Sequence, residues 1–293
     1  MAKTLEQGFD GLIKWLVPAK SEHKKAVSHK KSIKSCFKNN FDCKLMFETG
    51  SFGNNTGVRH FSDTDYFAVC RDDNSINSSS YLLQKSKKAL QITFRRTADK
   101  IRINSPSVTI PFGKYASENI EVTPCFYEGL VSTPHGRKKS YAIADGFDGW
   151  MFSSPQAHTA YVKAENKRLN KKLKPLIRLV KAWKFFHNVP ISSFYLELRV
   201  TKFAGNKKKI VYDADLYRFR KKFYQMGLAS IQDPMKVSGN VHACISEAKR
   251  RTSLSKLQTA YSRSEKAYEQ RKKNLDKCFH WWNLFFNDKF PSR

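Results

Sequence analysis

Acidic side chains are scarce in this chain: 25 Asp and Glu stand against 54 Lys and Arg in 293 residues, a formal net charge of +29. A field of that sign repels cationic partners and concentrates polyanions, so nucleic acid, nucleotides or an anionic surface are the expected partners. Long apolar runs are missing too. No stretch approaches 18 uninterrupted apolar residues, which excludes a transmembrane helix, and the first twenty residues carry acidic groups on an amphipathic pattern rather than a secretory core. Cysteine is limited to positions 36, 43, 70, 125, 244 and 278, with no CxxC and no Cys/His cluster. The usual structural zinc spacings are thereby excluded, and a chain of this size needs no disulfide framework. A cytoplasmic, reducing location without a membrane partner is the expectation. Internal repeats are absent, and low complexity is confined to Asn74–Ser80, which reads as a loop.

What the chain does have is apolar mass. Hydrophobic residues make up 40% and aromatics 13%, with 22 Phe and 12 Tyr, which excludes a disordered basic protein. The charge is uneven: residues 1–150 carry a net +8 and residues 151–293 a net +21. Leu5, Phe9, Leu12, Ile13 and Leu16 recur at helical spacing until Pro18, and a second helix is expected over Ala19–Phe37. Strands are expected at Cys43–Thr49, Tyr66–Cys70, Val108–Phe112 and Asn119–Phe126, with a helix over Tyr81–Arg96. From Gln156 the pattern is helical, in segments 156–172, 173–187, 192–203, 216–228, 241–261 and 266–286. The expected architecture is α+β, a twisted mixed sheet with helices over residues 1–152 followed by a basic helical lobe over residues 153–293, with a nucleotide cleft between them.

One constellation carries chemistry. Gly50–Ser51 is followed by Asp63–Thr64–Asp65, and Asp-x-Asp on a strand presents two carboxylates on one face. Like charges so placed ask for a cation between them, and magnesium prefers oxygen ligands. A Gly-Ser turn upstream lets backbone N–H groups and a hydroxyl approach a phosphate. Glu121 lies in the otherwise apolar Ile120–Pro124, where a charge is costly unless paired or metal-bound. Three carboxylates from two strands make a two-metal site for in-line phosphoryl transfer, with Mg2+ expected and Mn2+ an alternative ion.

This pattern resembles the polymerase-beta-like nucleotidyltransferases. Ser140–Trp150, Leu173–Trp183, Pro190–Glu197 and Ile231–Val241, in that order, narrow the resemblance to the bacterial CD-NTases, relatives of cyclic GMP-AMP synthase and oligoadenylate synthase. The resemblance covers about residues 40–290. It departs at Glu121, where many relatives have Asp, and it lacks the zinc-binding insertion of the animal enzyme. It implies that Asp63, Asp65 and Glu121 are catalytic metal ligands and that Gly50 and Ser51 hold donor phosphates. It further implies that Lys181 reaches the triphosphate, that Ser193 hydrogen-bonds it, and that Phe194 stacks on the donor base.

The implied activity is synthesis of a cyclic di- or trinucleotide second messenger from NTPs, ATP or GTP, in anti-phage signalling, with a downstream effector recognising the product. The alternatives are a template-independent RNA-tailing nucleotidyltransferase and an inactive nucleotidyltransferase fold that binds RNA. A triphosphate cleft accounts for only a few of the surplus cations. The lysines of the second helix, Lys24, Lys25, Lys30, Lys31 and Lys34, are expected to form a nucleic-acid surface, with structured RNA as the activator.

Overall fold

The computed structural model describes residues 2–61, 63–71, 78–113 and 118–293, with the backbone alone for residues 20–28 and 118. Elements run in the order α1 (Leu5–Leu16), α2 (Lys20–Phe41), β1 (Leu45–Glu48), α3 (Gly50–Gly53), β2 (Thr64–Val69), α4 (Ser79–Thr93), a 3-10 turn (Arg95–Lys100), β3 (Arg102–Asn104), β4 (Ser107–Phe112) and β5 (Glu118–Thr133). β6 (Gly136–Ala144), β7 (Trp150–Ser153), α5 (Pro155–Arg168), α6 (Leu173–Phe186), α7 (Ser193–Gly205) and α8 (Tyr212–Gln225) follow. A short hairpin, β8 (Ile231–Gln232) and β9 (Asn240–Val241), precedes α9 (Glu247–Gln270) and α10 (Leu275–Phe285). The expected α+β class is observed.

The chain divides into two compact units. One comprises residues 18–161 with 235–238, the other residues 1–17, 162–234 and 239–293. This corrects the sequence-based boundary at 152/153, which assigned both N-terminal helices to the strand-containing lobe. α1 belongs to the helical unit for a packing reason: Phe9 meets Trp282 edge-on at 5.1 Å and Phe290 at 5.0 Å. Its start is fixed by a capping box, in which the Thr4 hydroxyl accepts from the Gln7 N–H while the Gln7 side chain accepts from the Thr4 N–H.

In the sheet unit the strand order is β1-β2-β5-β4-β3, with β6 on β5 and β7 on β6. Among the described residues only β2 and β5 pair in parallel, and every other pair in this sheet is antiparallel. β5 is long enough to serve two sets of neighbours. Its first half lies between β2 and β4, and beyond a register shift at Tyr127/Gly129 its second half pairs with β6. Alternation decides the two faces. Tyr66, Ala68, Ile120 and Val122 point to the main core, where α2 supplies Ile33, Phe37 and Phe41 and α4 supplies Leu82, Leu83 and Leu90. The opposite face holds a small apolar group, Phe67, Cys125, Tyr141 and Ile143. Asp65 and Glu121 share the parity of that second face.

The helical unit is built around α6, whose residues 176–183 are buried throughout. Among the described residues no helix is long and apolar enough to cross a membrane.

Candidate active site

The site begins with a glycine that no other residue can replace. Gly50 has φ of +59°, and a Cβ there would fall 1.8 Å from Oδ2 of Asp65. The chain turns from β1 into the single helical turn α3 directly against that carboxylate, tied down by the Thr49 N–H donating to the Asp65 carbonyl at 2.8 Å. Only a glycine supplies both the left-handed backbone and the missing side chain. Ser51, next in the turn, is half-buried, and its carbonyl accepts from the Thr56 N–H at 2.9 Å.

Asp65 and Glu121 are register partners across the parallel β2–β5 pair, so their side chains leave the sheet on the same face. Asp63 stands just before β2, and all three carboxylates are half-buried. Glu121 is held rather than loose: its Oε1 accepts from Asn104 Nδ2 at 3.0 Å and from Thr109 Oγ1 at 3.2 Å. Thr109 sits opposite Glu121 on β4, so strand register delivers this contact. Sequence reasoning missed Asn104 and Thr109, because short polar residues on neighbouring strands carry no motif.

The three carboxylates are nonetheless not drawn together. Among the described residues no group of three His, Cys, Asp or Glu side chains is gathered closely enough to hold a metal ion. The donor set still fits a hard divalent cation, being oxygen throughout, with the bare Gly50 backbone letting the Asp65 carboxylate lie against the turn.

In the helical unit the expectation for Lys181 needs correction. Rather than standing open toward a triphosphate, its side chain is buried and its ammonium lies 2.5 Å from Glu197 of α7. A buried cation needs such a counter-charge, and α6 is buried on every side over residues 176–183. Three residues along, Lys184 donates to the Ser193 hydroxyl at 2.6 Å. Both are half-buried, and neighbouring Phe194 is 39% exposed. The structure thus joins Ser193 to Lys184, a lysine the motif reading passed over.

On α2, Lys31 and Lys34 are exposed, but Lys30 turns its ammonium to 5.3 Å from the centre of the buried Tyr66 ring. Lys30, half-buried, thus packs its ammonium over that ring. The side chains of Lys24 and Lys25 lie outside the described residues.

A Gly-Ser turn against an Asp-x-Asp strand, with a third carboxylate on the parallel neighbour, defines the nucleotidyltransferase class. Residues 3–166 match the Second Messenger Oligonucleotide or Dinucleotide Synthetase domain, and the chain belongs to that family, the bacterial CD-NTases. It is accordingly an enzyme, a nucleotidyltransferase of a family that is generally divalent-metal dependent. Cyclic AMP-AMP-AMP synthase of Acinetobacter sp. is 24% identical over 264 residues, which is 84% of this chain and 72% of that one. The enzyme of the same name from Escherichia coli is 24% identical over 57% of this chain and 52% of its own. In fold, the chain is similar to Vibrio cholerae DncV cyclic AMP-GMP synthase in complex with a linear intermediate, with a TM-score of 0.74 and 14% identity over 97% of this chain and 94% of that one. It is similar also to E. coli CdnC in its complex with HORMA-deltaN, with a TM-score of 0.73 and 16% identity over 98% of both chains.

Proposed function

We propose that this enzyme joins NTPs into a cyclic di- or trinucleotide second messenger for anti-phage signalling. The observation that carries this reading is the register pairing of Asp65 with Glu121 beside the Gly50 turn. Gly50 and Ser51 hold the donor phosphates, and Asp63, Asp65 and Glu121 hold divalent metal, magnesium by its oxygen preference. When bound, the metal supplies charge stabilisation at the transferring phosphoryl group. An acceptor ribose hydroxyl attacks the donor α-phosphorus, the bond to pyrophosphate breaks, and Glu121, oriented by Asn104 and Thr109, takes the hydroxyl proton. A second attack of the same kind closes the ring. No covalent enzyme intermediate is needed, since alignment and electrostatics lower the barrier.

From the helical unit, Lys184 and Ser193 engage the triphosphate, Phe194 meets the donor base, and Lys181 acts through its ion pair with Glu197. The Acinetobacter relative is a cyclic AMP-AMP-AMP synthase, which favours ATP as a substrate here. The surplus basic charge, with Lys31 and Lys34 exposed on α2, supports activation by structured RNA bound through its backbone.

The test is incubation with all four NTPs and magnesium, with and without RNA or DNA, read by mass spectrometry. Phosphatase-resistant small cyclic products are expected. Elongated RNA would replace this reading with RNA tailing, and no magnesium-dependent turnover under any condition would leave an inactive RNA-binding fold.

A further inference from the structure

The carboxyl ends of α6 and α10, with the middle of α9, form an open pocket of about 220 Å3 lined by Trp183, His187, Lys256, Thr259, Arg263 and Phe285. Its charged lining is entirely basic. Lys256 Nζ donates to the carbonyls of His187 at 2.6 Å and Asn188 at 3.1 Å, and Arg263 Nη1 donates to the Leu284 carbonyl at 2.6 Å. His187 Nε2 lies 2.9 Å from the Phe285 carbonyl. Behind the wall, the guanidinium of Arg220 stacks 3.8 Å from the centre of the Trp183 ring. Arg220 is fully buried; its Nη2 donates to the Val180 carbonyl at 3.4 Å, while its Nε and Nη1 have no hydrogen-bond partner.

Capping of helix ends explains only part of this charge. Each helix C-terminus carries roughly −0.5 of an elementary charge, so α6 and α10 together offer about −1. Lys256, Arg263 and Arg220 bring three permanent cations, leaving about +2. Among the described residues none of the three forms an ion pair with an acidic side chain. An excess of that size around a pocket walled by two aromatic rings is matched by a compact dianion. Arg263 keeps most of its five donors, and Lys256 one of its three, after these hydrogen bonds are made.

We propose that this pocket is an anion-binding site that takes a phosphate-class oxyanion between Lys256, Arg263 and His187. The volume falls below the roughly 300–1,000 Å3 of sites that enclose a drug-sized ligand, so the occupant is a phosphate or pyrophosphate rather than a whole nucleotide. None of its residues belongs to the proposed active site, so the two assignments stand or fall separately. His187 reports on the occupant. Burial holds its imidazole below the usual histidine range, against a raising contact with Phe285, and nearby Arg263, Lys256 and Arg220 depress it further. An anion beside it reverses that influence.

Calorimetric titration at fixed ionic strength, with inorganic phosphate in one arm and pyrophosphate in the other, tests the site. Saturable binding of at least one is expected, weakened at least about tenfold in Lys256→Gln and in Arg263→Gln. Thr259→Glu, a change at an exposed residue of the rim, sets a carboxylate at the mouth without removing a helix cap, and should abolish binding even where Arg263→Gln fails to fold. In the wild type, the NMR-detected His187 titration should move to higher pH on saturation. Absence of saturable binding in both arms, unchanged affinity in the variants that fold, or an unmoved His187 titration would overturn the proposal.

Discussion

At the scale of single residues, the site depends on what Gly50 lacks. Gly50→Ala would place a methyl group within bonding distance of the Asp65 carboxylate at a backbone angle alanine disfavours. Asp65 must then move off the face it shares with Glu121. Loss of nucleotidyl transfer by at least about a hundredfold is expected, because a misplacement on the order of 1 Å costs that much in positioned catalysis. Steady-state turnover with NTPs checks it. Asp63→Asn with Asp65→Asn should also abolish turnover, yet leave metal-free thermal stability equal or raised, since two like charges are removed. Retained synthesis in that double variant would refute the assignment of the acids.

The two lysines of α6 separate in the same way. Lys181→Ala removes the ammonium that is ion-paired with the buried Glu197 carboxylate and should cost roughly 3–5 kcal/mol of stability, read from denaturant midpoints. Lys184→Ala removes a half-buried ammonium from Ser193 and should leave stability nearly unchanged while raising the apparent KM for NTP. The motif alone could not make this distinction. Both lysines occur on one basic helix, and which one turns inward is decided by the tertiary burial of α6.

At the scale of elements, local periodicity made α1 and the four motif-bearing strands legible. Other elements hid for physical reasons. β6 begins with Arg137, Lys138 and Lys139, so its buried end, Ser140–Ala144, was visible only as part of a motif. β5 contains Pro124 and an irregularity at Tyr127/Gly129, which made one 16-residue strand look like a short one. The two helices expected at 241–261 and 266–286 are observed as α9 and α10, but the break between them falls after Gln270 rather than near residue 263. The buried residues of α9 are Ser253, Leu257, Ala260, Ser264 and Ala267, a seam at alternating spacings of four and three made mostly of small side chains. Small residues let α8 approach closely, with Tyr217 stacked on Tyr268 at 4.6 Å and Tyr224 on Tyr261 at 5.7 Å. Such a seam has no hydrophobic signature. Ala267→Leu should overpack it and lower stability by about 1–3 kcal/mol, measured by urea unfolding. The placement of α1 was equally hidden, because its amphipathic pattern announces a buried face and not what covers it.

At the scale of the whole molecule, the charge excess requires the most explanation. Many cations are consumed locally: Arg168 ties Glu165 to carbonyls at the end of α7, Lys207 and Arg218 flank Asp215, and Arg271 reaches Asp213. Others are exposed, among them Lys31 and Lys34 on α2, and Lys221 and Lys222 on α8. If the α2 stripe forms the proposed RNA surface, reversing Lys31 and Lys34 to Glu should remove RNA stimulation of synthesis and leave the rate without RNA unchanged. Reversing Lys221 and Lys222 is the matched control, equal in charge but on the helical unit, and should retain stimulation. The salt dependence follows from counterion release. Every phosphate that the protein no longer neutralises should flatten the slope of log affinity against log salt by roughly 0.7–0.9. The α2 double variant should therefore drop by more than one unit of slope while the control barely changes. Equal flattening in the two variants would mean a diffuse field without a defined RNA surface. Synthesis without any nucleic acid as fast as the best rate with it would mean that RNA is not an activator.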